Sequence, residues 1–177
     1  MFTRFKPTWM LESIYDLKPA ELKKRGIKVV LTDLDNTLIA WNNPNGTAEL
    51  KHWLEIMQEE AIPVVVVSNN SKKRVAQAVA PFKLLFISRA LKPFSYGINK
   101  AKRELKLKNH DLILVGDQLV TDVAAAHAAG IRSVLVKPII ETDAWNTRIN
   151  RFFERIIKKK LIKDKAISAT WRHSLDD

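Results

Sequence analysis

The ten residues Val29-Val30-Leu31-Thr32-Asp33-Leu34-Asp35-Asn36-Thr37-Leu38 constrain this chain more than any other stretch. A short apolar run rich in Val and Leu is the pattern of a strand buried on both faces, as in a parallel sheet. The run ends in two carboxylates two residues apart, with an amide and a hydroxyl close behind. Open parallel sheets bind ligands beyond the carboxyl ends of their strands, so Asp33 and Asp35 stand where a ligand would be. Carboxylates at a strand tip suit holding Mg²⁺, attacking phosphorus or moving a proton. They would equally serve an acidic turn that merely closes a strand, and the rest of the chain decides between the two.

From residue 27 onward, strand and helix patterns alternate. Apolar runs at 27–34, 62–67, 84–87, 112–115 and 133–136 read as strands. Between them, Thr47 can cap a helix reaching about Glu60, in which Leu50, Trp53, Leu54 and Met57 repeat at i, i+3, i+4 and i+7. Further helices are expected from Ser71 to Pro81, over 95–107, and over 119–129 with Gly130 as the stop. Repeated β-α units predict an α/β fold with a five-stranded parallel sheet. At 177 residues the chain is expected to be one domain spanning 1–177. Its expected parts are an N-terminal appendage (1–26), a catalytic core (27–140), a basic amphipathic helix (141–163) and a loosely ordered tail (164–177). Within the appendage, Pro19 through Gly26 reads as a short helix lying on the sheet edge.

The residues just past each strand carry the chemistry. After the first come Asp33, Asp35 and Thr37; after the second, Ser68, Asn69 and Asn70; after the third, Arg89 and Lys92-Pro93; after the fourth, Gly116-Asp117 with Thr121 and Asp122. A fold built for packing alone has no reason to place such groups at four strand tips. Together they match the needs of phosphoryl transfer: an in-line nucleophile, an acid for the leaving oxygen, a cation, and donors for the equatorial oxygens. Asp33 is the expected nucleophile, forming an aspartyl-phosphate, and Asp35 the acid and then the base. Thr37, Ser68, and the amides from Asn69 onward would bind the phosphoryl oxygens. Lys92 would offset their charge and that of Asp33. Asp33 and Asp117 would hold Mg²⁺, and Asp122 would orient Lys92 or a metal-bound water from behind.

These motifs resemble the four motifs of the haloacid dehalogenase (HAD) phosphatase superfamily, with no departure at the six catalytic positions. A finer resemblance runs along nearly the whole chain and is to the bacterial YqeG-like branch, subclass III-A. It is carried by Arg25-Gly26-Ile27-Lys28, Ser68-Asn69-Asn70, Val115-Gly116-Asp117-Gln118, Val136-Lys137-Pro138-Ile139 and Thr147-Arg148-Ile149-Asn150-Arg151-Phe152-Phe153-Glu154. That branch is similar to the phosphatidylglycerophosphate phosphatases of mitochondria. The resemblance implies a three-layer α/β/α sandwich with strand order 5-4-1-2-3 and a Mg²⁺-dependent phosphatase. It also implies the Asp35 backbone carbonyl as a third metal ligand.

Spacing adds that the fold is capless. The 30 residues between Thr37 and Ser68, and the 23 between Ser68 and Lys92, are nearly used up by one helix and one strand each. An open site suits a bulky substrate. Charge points the same way: residues 1–30 carry seven Lys/Arg against three acids and residues 146–177 nine against four, while the middle is nearly balanced. Basic ends suit an anionic surface. In the C-terminal helix, Ile149, Phe152, Phe153, Ile156 and Ile157 form an apolar stripe among Arg and Lys, as in helices that lie on membranes or dock on a protein body. The absence of Cys removes disulfides and thiolate chemistry and fits a reducing cytoplasm. No signal peptide or membrane span is expected.

The resulting expectation is a phosphomonoester hydrolase acting on phosphatidylglycerophosphate, cytoplasmic and peripheral on the inner face of the membrane. Two alternatives keep different parts of the pattern. One is a phosphatase of a soluble sugar phosphate, nucleotide or phosphoprotein. The other is a nucleic-acid or ribosome-associated protein that uses its net charge of +11 and carries a vestigial site; no RNA-binding motif supports it.

Overall fold

A computed structural model describes residues 2–43, 45–140 and 148–177. Its centre is a six-stranded, wholly parallel sheet. In chain order the elements are β1 (Trp9–Leu11), α1 (Pro19–Lys24), β2 (Val29–Thr32), α2 (Ala48–Glu59), β3 (Val64–Val67), α3 (Lys72–Val79), β4 (Leu85–Ile87), α4 (Tyr96–Glu104), β5 (Leu112–Gly116), α5 (Ala124–Ala129), β6 (Arg132–Val136) and α6 (Arg148–Lys163). The strand order is β1-β6-β5-β2-β3-β4. The five expected strands are therefore β2 to β6, in the expected 5-4-1-2-3 order. The sixth is a correction. Trp9–Leu11, assigned from the sequence to an appendage, adds a parallel edge strand, with Trp9 beside Val134 and Leu11 beside Val136.

Period-two packing makes the three layers. Val30, Val64, Val66, Ile113 and Val115 face one side, where Leu22 of α1, Leu50, Trp53 and Met57 of α2, and Val75 and Val79 of α3 cover them. Their strand neighbours Val29, Leu31, Val65, Val67, Leu112 and Leu114 face the other, under Ile98 and Ala101 of α4 and Ala125, Ala126 and Ala129 of α5. Strands apolar on both faces are what a sheet between two helical layers requires. Burying one such Val, Leu or Ile contributes roughly 1.5–3 kcal/mol. The caps follow the sequence: Thr47 Oγ1 accepts from Leu50 N at 3.1 Å, Ser71 Oγ accepts from Arg74 N at 3.4 Å, and Gly130 ends α5 at φ 68°.

The C-terminal end also departs from expectation. The tail at 164–177 docks on the outer edge of the sheet instead of hanging loose. Arg172 N donates to Met10 O at 3.2 Å, and Glu12 N donates to Arg172 O at 2.9 Å. Leu175 is only 3% exposed. The buried Glu21 carboxylate accepts from Ser174 Oγ at 2.6 Å and from Leu175 N at 2.8 Å, and Arg25 Nη2 pairs with Asp176 Oδ1 at 2.5 Å. A buried acceptor that lost these donors would carry its full desolvation cost. Removing residues 172–177 is expected to lower stability by roughly 2–4 kcal/mol, from a buried leucine and an orphaned carboxylate together. Thermal and urea unfolding of the truncated and full chains measures this; an unchanged midpoint would show that the tail contributes nothing.

The expected C-terminal helix is described from Arg148 onward; residues 141–147 lie outside the described residues, as does the Ile149 side chain. Its stripe divides. Ile157 and Leu161 are buried against Phe5, Met10, Leu119 and Leu135, whereas Phe152, Phe153 and Ile156 stay exposed. Between Thr37 and Ser68 the described residues hold α2 and β3, and between Ser68 and Lys92 they hold α3 and β4. The carboxyl edge of the sheet is left open.

Candidate active site

The carboxyl ends of β2, β3, β4 and β5 bring the predicted residues together. β2 delivers Asp33, whose N–H donates to Val115 O at 2.9 Å and so continues the sheet to its tip. The chain then turns through Asn36 in the left-handed region (φ 62°), a conformation Asn tolerates better than most residues. From the loop after β4, Lys92 reaches inward, with its side chain 3% exposed. Its Nζ lies 2.7 Å from Asp33 Oδ1 and 2.7 Å from Asp122 Oδ1. One ammonium thus bridges the predicted nucleophile and the predicted supporting carboxylate. The two carboxylates hold Lys92 protonated, raising its pKa against a burial that would lower it.

The loop after β5 supplies the rest. A π-turn over Leu119–Val123 precedes α5, with Val123 N donating to Gln118 O at 3.2 Å. The sequence predicted an ordinary helix there. The wider turn accompanies a return of Asp122 over the end of β5, where its Oδ2 accepts from Gln118 N at 3.1 Å. A Cβ at position 116 would lie 2.2 Å from the Asp122 carboxyl carbon, so only glycine fits at Gly116.

Asp117 is buried, and its Oδ1 accepts from Thr37 Oγ1 at 3.2 Å. Burial and the charges of Asp122 and Asp33 push its carboxyl well up, against the pull of Arg151 and Thr37. The carboxylates of Asp33, Asp117 and Asp122 place oxygens within 4.8 Å of one another. This all-oxygen donor set with excess buried negative charge fits a hard divalent cation. Both Asp122 oxygens are engaged, by Lys92 and by the Gln118 amide, and both Asp117 oxygens, by Thr37 and Arg151, so a cation held by Asp33 and Asp117 would share or displace one of the Asp117 contacts.

Several predicted groups take narrower roles in this geometry. Asn69, expected at the phosphate, uses its side-chain amide on the Lys92 backbone: Oδ1 accepts from Lys92 N at 2.7 Å and Nδ2 donates to Lys92 O at 2.9 Å. It fixes the loop that carries the lysine. Ser68 is buried and its Oγ accepts from Asn70 N at 3.2 Å. The Thr37 hydroxyl orients Asp117. The Asp35 carboxylate stands at the mouth, where Asn70 Nδ2 and Arg74 Nη2 each donate at 2.7 Å. A cavity of about 350 Å³ opens over Lys92 between Asn69 and Phe94.

Sequence reasoning gave Asn70 only a main-chain amide and gave no role to Arg74, Arg151 or Glu154. Asn70 and Arg74 lie near a predicted tip and could have been suspected from Ser71 capping α3, which aims the first turn at the site. Arg151 and Glu154 gave no local signal. α6 lies across the loop after β5, and Arg151 Nη2 pairs with Asp117 Oδ2 at 3.2 Å. Glu154 accepts from Leu119 N at 2.9 Å and from Val120 N at 2.6 Å.

Comparison with known proteins agrees with this geometry. Residues 90–151 match the HAD-hydrolase-like family model. The chain is 41% identical to Probable phosphatase YqeG of Bacillus subtilis (strain 168) over 157 residues, which cover 89% of this chain and 91% of that protein. It belongs to the YqeG branch of the HAD-like hydrolases. This chain is a phosphatase-type hydrolase. Solved structures share the fold. An uncharacterized protein from Listeria monocytogenes serotype 4b superposes with a TM-score of 0.54 at 13% identity, covering 75% of this chain and 99% of its own. The cobalt-bound deoxy-D-mannose-octulosonate 8-phosphate phosphatase YrbI of Haemophilus influenzae gives 0.50 at 16% identity, covering 83% and 96%.

Two outcomes follow from the electrostatics. Lys92→Met is expected to destabilise the metal-free protein by roughly 3–5 kcal/mol, because it strands the buried Asp122 charge. Adding Asp122→Asn should restore much of that loss in urea unfolding; failure of the pair to couple would dissolve the bridge as described. Glu154 sets a pH dependence. Burial outweighs its two amide bonds and pushes its carboxyl up to about 7, from an ordinary 4.5. The folded state therefore binds the proton more tightly than the unfolded chain, and the associated stability is present below about pH 4.5 and is lost as pH rises through 7. Melting midpoints from pH 5 to 8 should fall more steeply for the wild type than for Glu154→Gln.

Proposed function

We propose that the chain hydrolyses phosphomonoesters through an aspartyl-phosphate on Asp33, and that its preferred ester is phosphatidylglycerophosphate at a membrane surface. One observation carries the chemistry: Asp33 is held 2.7 Å from a buried ammonium that a second carboxylate, Asp122, fixes from behind. The ammonium orients the Asp33 carboxylate for attack on phosphorus, and the same cation offsets the charge of the phosphorylated state. In the forward step an Asp33 oxygen bonds to phosphorus while the ester oxygen leaves, taking a proton from Asp35. In the second step Asp35 removes a proton from water, whose oxygen attacks phosphorus, and the Asp33 oxygen departs with its electron pair. Arg74 and Asn70 orient the Asp35 carboxylate at the mouth between these steps. Mg²⁺ bound by Asp33, Asp117 and the Asp35 carbonyl would supply positive charge to the phosphoryl oxygens.

The substrate reading rests on the site's surroundings. The site has no cap among the described residues. Phe94 and Leu91, 72% and 56% exposed, flank its mouth. On α6, Phe152 and Phe153 are 57% and 53% exposed with Arg155, Lys159 and Lys160 beside them. Exposed aromatics ringed by cations suit an anionic interface. No helix among the described residues is long and apolar enough to cross a membrane.

Phosphate release with Mg²⁺ would be measured from phosphatidylglycerophosphate in mixed micelles and from a panel of soluble esters. The lipid should be preferred by roughly tenfold or more, and Asp33→Asn should remove turnover by a factor on the order of 10³ or greater. Turnover of soluble esters alone would discard the lipid and keep the chemistry. Turnover that survives Asp33→Asn would discard the chemistry.

A further inference from the structure

The segment Arg151-Phe152-Phe153-Glu154 has no part in the catalytic steps above, yet α6 is fastened directly onto the site. Glu154 accepts from the two main-chain N–H groups that open the π-turn, while Ile157 and Leu161 anchor the following turns in the core. Arg151, Arg155 and Lys158 recur at i, i+4 and i+7 and so share one face of the helix. That face lines a cavity of about 450 Å³ whose inner end is Asp117 and whose far wall is Trp171. Lys158 Nζ lies 4.4 Å from the Trp171 ring centroid, and Arg151 Nη2 reaches Asp117. A row of cations thus leads away from Asp117. At 1.5 Å per residue it runs roughly 10 Å from Arg151 to Lys158.

The charges around this row can be counted. Among the residues lining the cavity, Asp117 belongs to the metal site and Glu154 is taken up by backbone donors. Lys158 stands over Trp171 and within electrostatic reach of Glu154, while Arg155 Nε donates to Arg151 O at 3.4 Å and its guanidinium pairs with no carboxylate among the described residues. A cationic groove with a fixed inner end selects a ligand of matching charge spacing. Resting on the phosphatase reading, we infer that this groove is a second anion subsite. It holds a phosphate or phosphodiester, borne by the same substrate a few bonds from the scissile phosphate, on Arg151, Arg155 and Lys158. The enzyme is then a phosphatase of esters with two anionic groups rather than of simple phosphate esters. Arg151 has a double place, at the joint between the metal site and the subsite, so the test falls on the other two cations.

Three substrates separate the sources of recognition: phosphatidylglycerophosphate in micelles, its deacylated head group, which keeps both phosphates, and glycerol 3-phosphate, which has one. The head group should exceed glycerol 3-phosphate in kcat/KM by roughly tenfold or more, the scale of one or two charge-assisted contacts. In Arg155→Gln/Lys158→Gln that ratio should collapse toward one, through KM. Binding of the head group to Asp33→Asn protein, followed by calorimetry with Mg²⁺ present, should weaken in the same proportion when the two glutamines are added. Equal kcat/KM for head group and glycerol 3-phosphate in the wild type, or a ratio the double variant leaves alone, overturns the subsite while the phosphatase reading stands. Absence of turnover on all three esters overturns both readings.

Discussion

The ammonium of Lys92 between Asp33 and Asp122 is the interaction on which the site depends. Three carboxylates with oxygens within 4.8 Å of one another, two of them on buried residues, cannot all remain ionised without positive charge among them. Lys92 supplies one unit permanently. Asp117, whose carboxyl is pushed well up in the metal-free protein, is where the remaining excess concentrates. The protein therefore folds with an excess of buried negative charge that a divalent cation would neutralise. Stability is given up there for preorganisation, in the sense that donors and charges need not rearrange when substrate arrives.

Holding a lysine so deep requires its loop to be as rigid as a strand. Asn69 does this by closing a two-bond ring with the Lys92 backbone, replacing the sheet hydrogen bonds that end at β4. On the other side, the bare Cα of Gly116 lets Asp122 fold back against the strand end. Both devices convert loop residues into extensions of the sheet. That is why a constellation drawn from four loops can keep 2.7 Å contacts. Thr37 completes the set by tying the loop after β2 to Asp117 across the site.

What was legible in the sequence follows from the range of the interactions involved. β2, β3, β5 and β6 show as apolar runs because both their faces are buried, and their tips then fixed where Asp33, Ser68 and Asp117 would meet. β1 did not show. Three residues at a sheet edge, after Pro7 and among charged neighbours, carry no period, and their pairing with β6 spans more than a hundred positions. The tail was misjudged for the same reason: its polar composition says nothing of Glu21, whose buried carboxylate awaits the Ser174 hydroxyl and the Leu175 amide. Thr37 and Asn69 lie beside Asp117 and Lys92, and their side chains bond Asp117 and the Lys92 backbone, contacts that residue type alone does not foretell.

α6 shows how one helix can serve two surfaces when its amphipathic stripe is too wide for its dock. Ile157 and Leu161 suffice to anchor it, since two buried aliphatic side chains contribute roughly 3–6 kcal/mol. The Glu154 carboxylate fixes its rotation, because a side chain gripping two successive amides leaves no freedom about the helix axis. Phe152, Phe153 and Ile156 are thereby turned outward and Arg151, Arg155 and Lys158 toward the site. The orientation of the exposed aromatics and that of the cationic row are consequences of the same bond pair, so neither can be altered without the other. A substrate with its apolar part in an interface and its charged part at the metal would meet both faces of this helix at once. The direction in which each face points is set by a glutamate that belongs to neither.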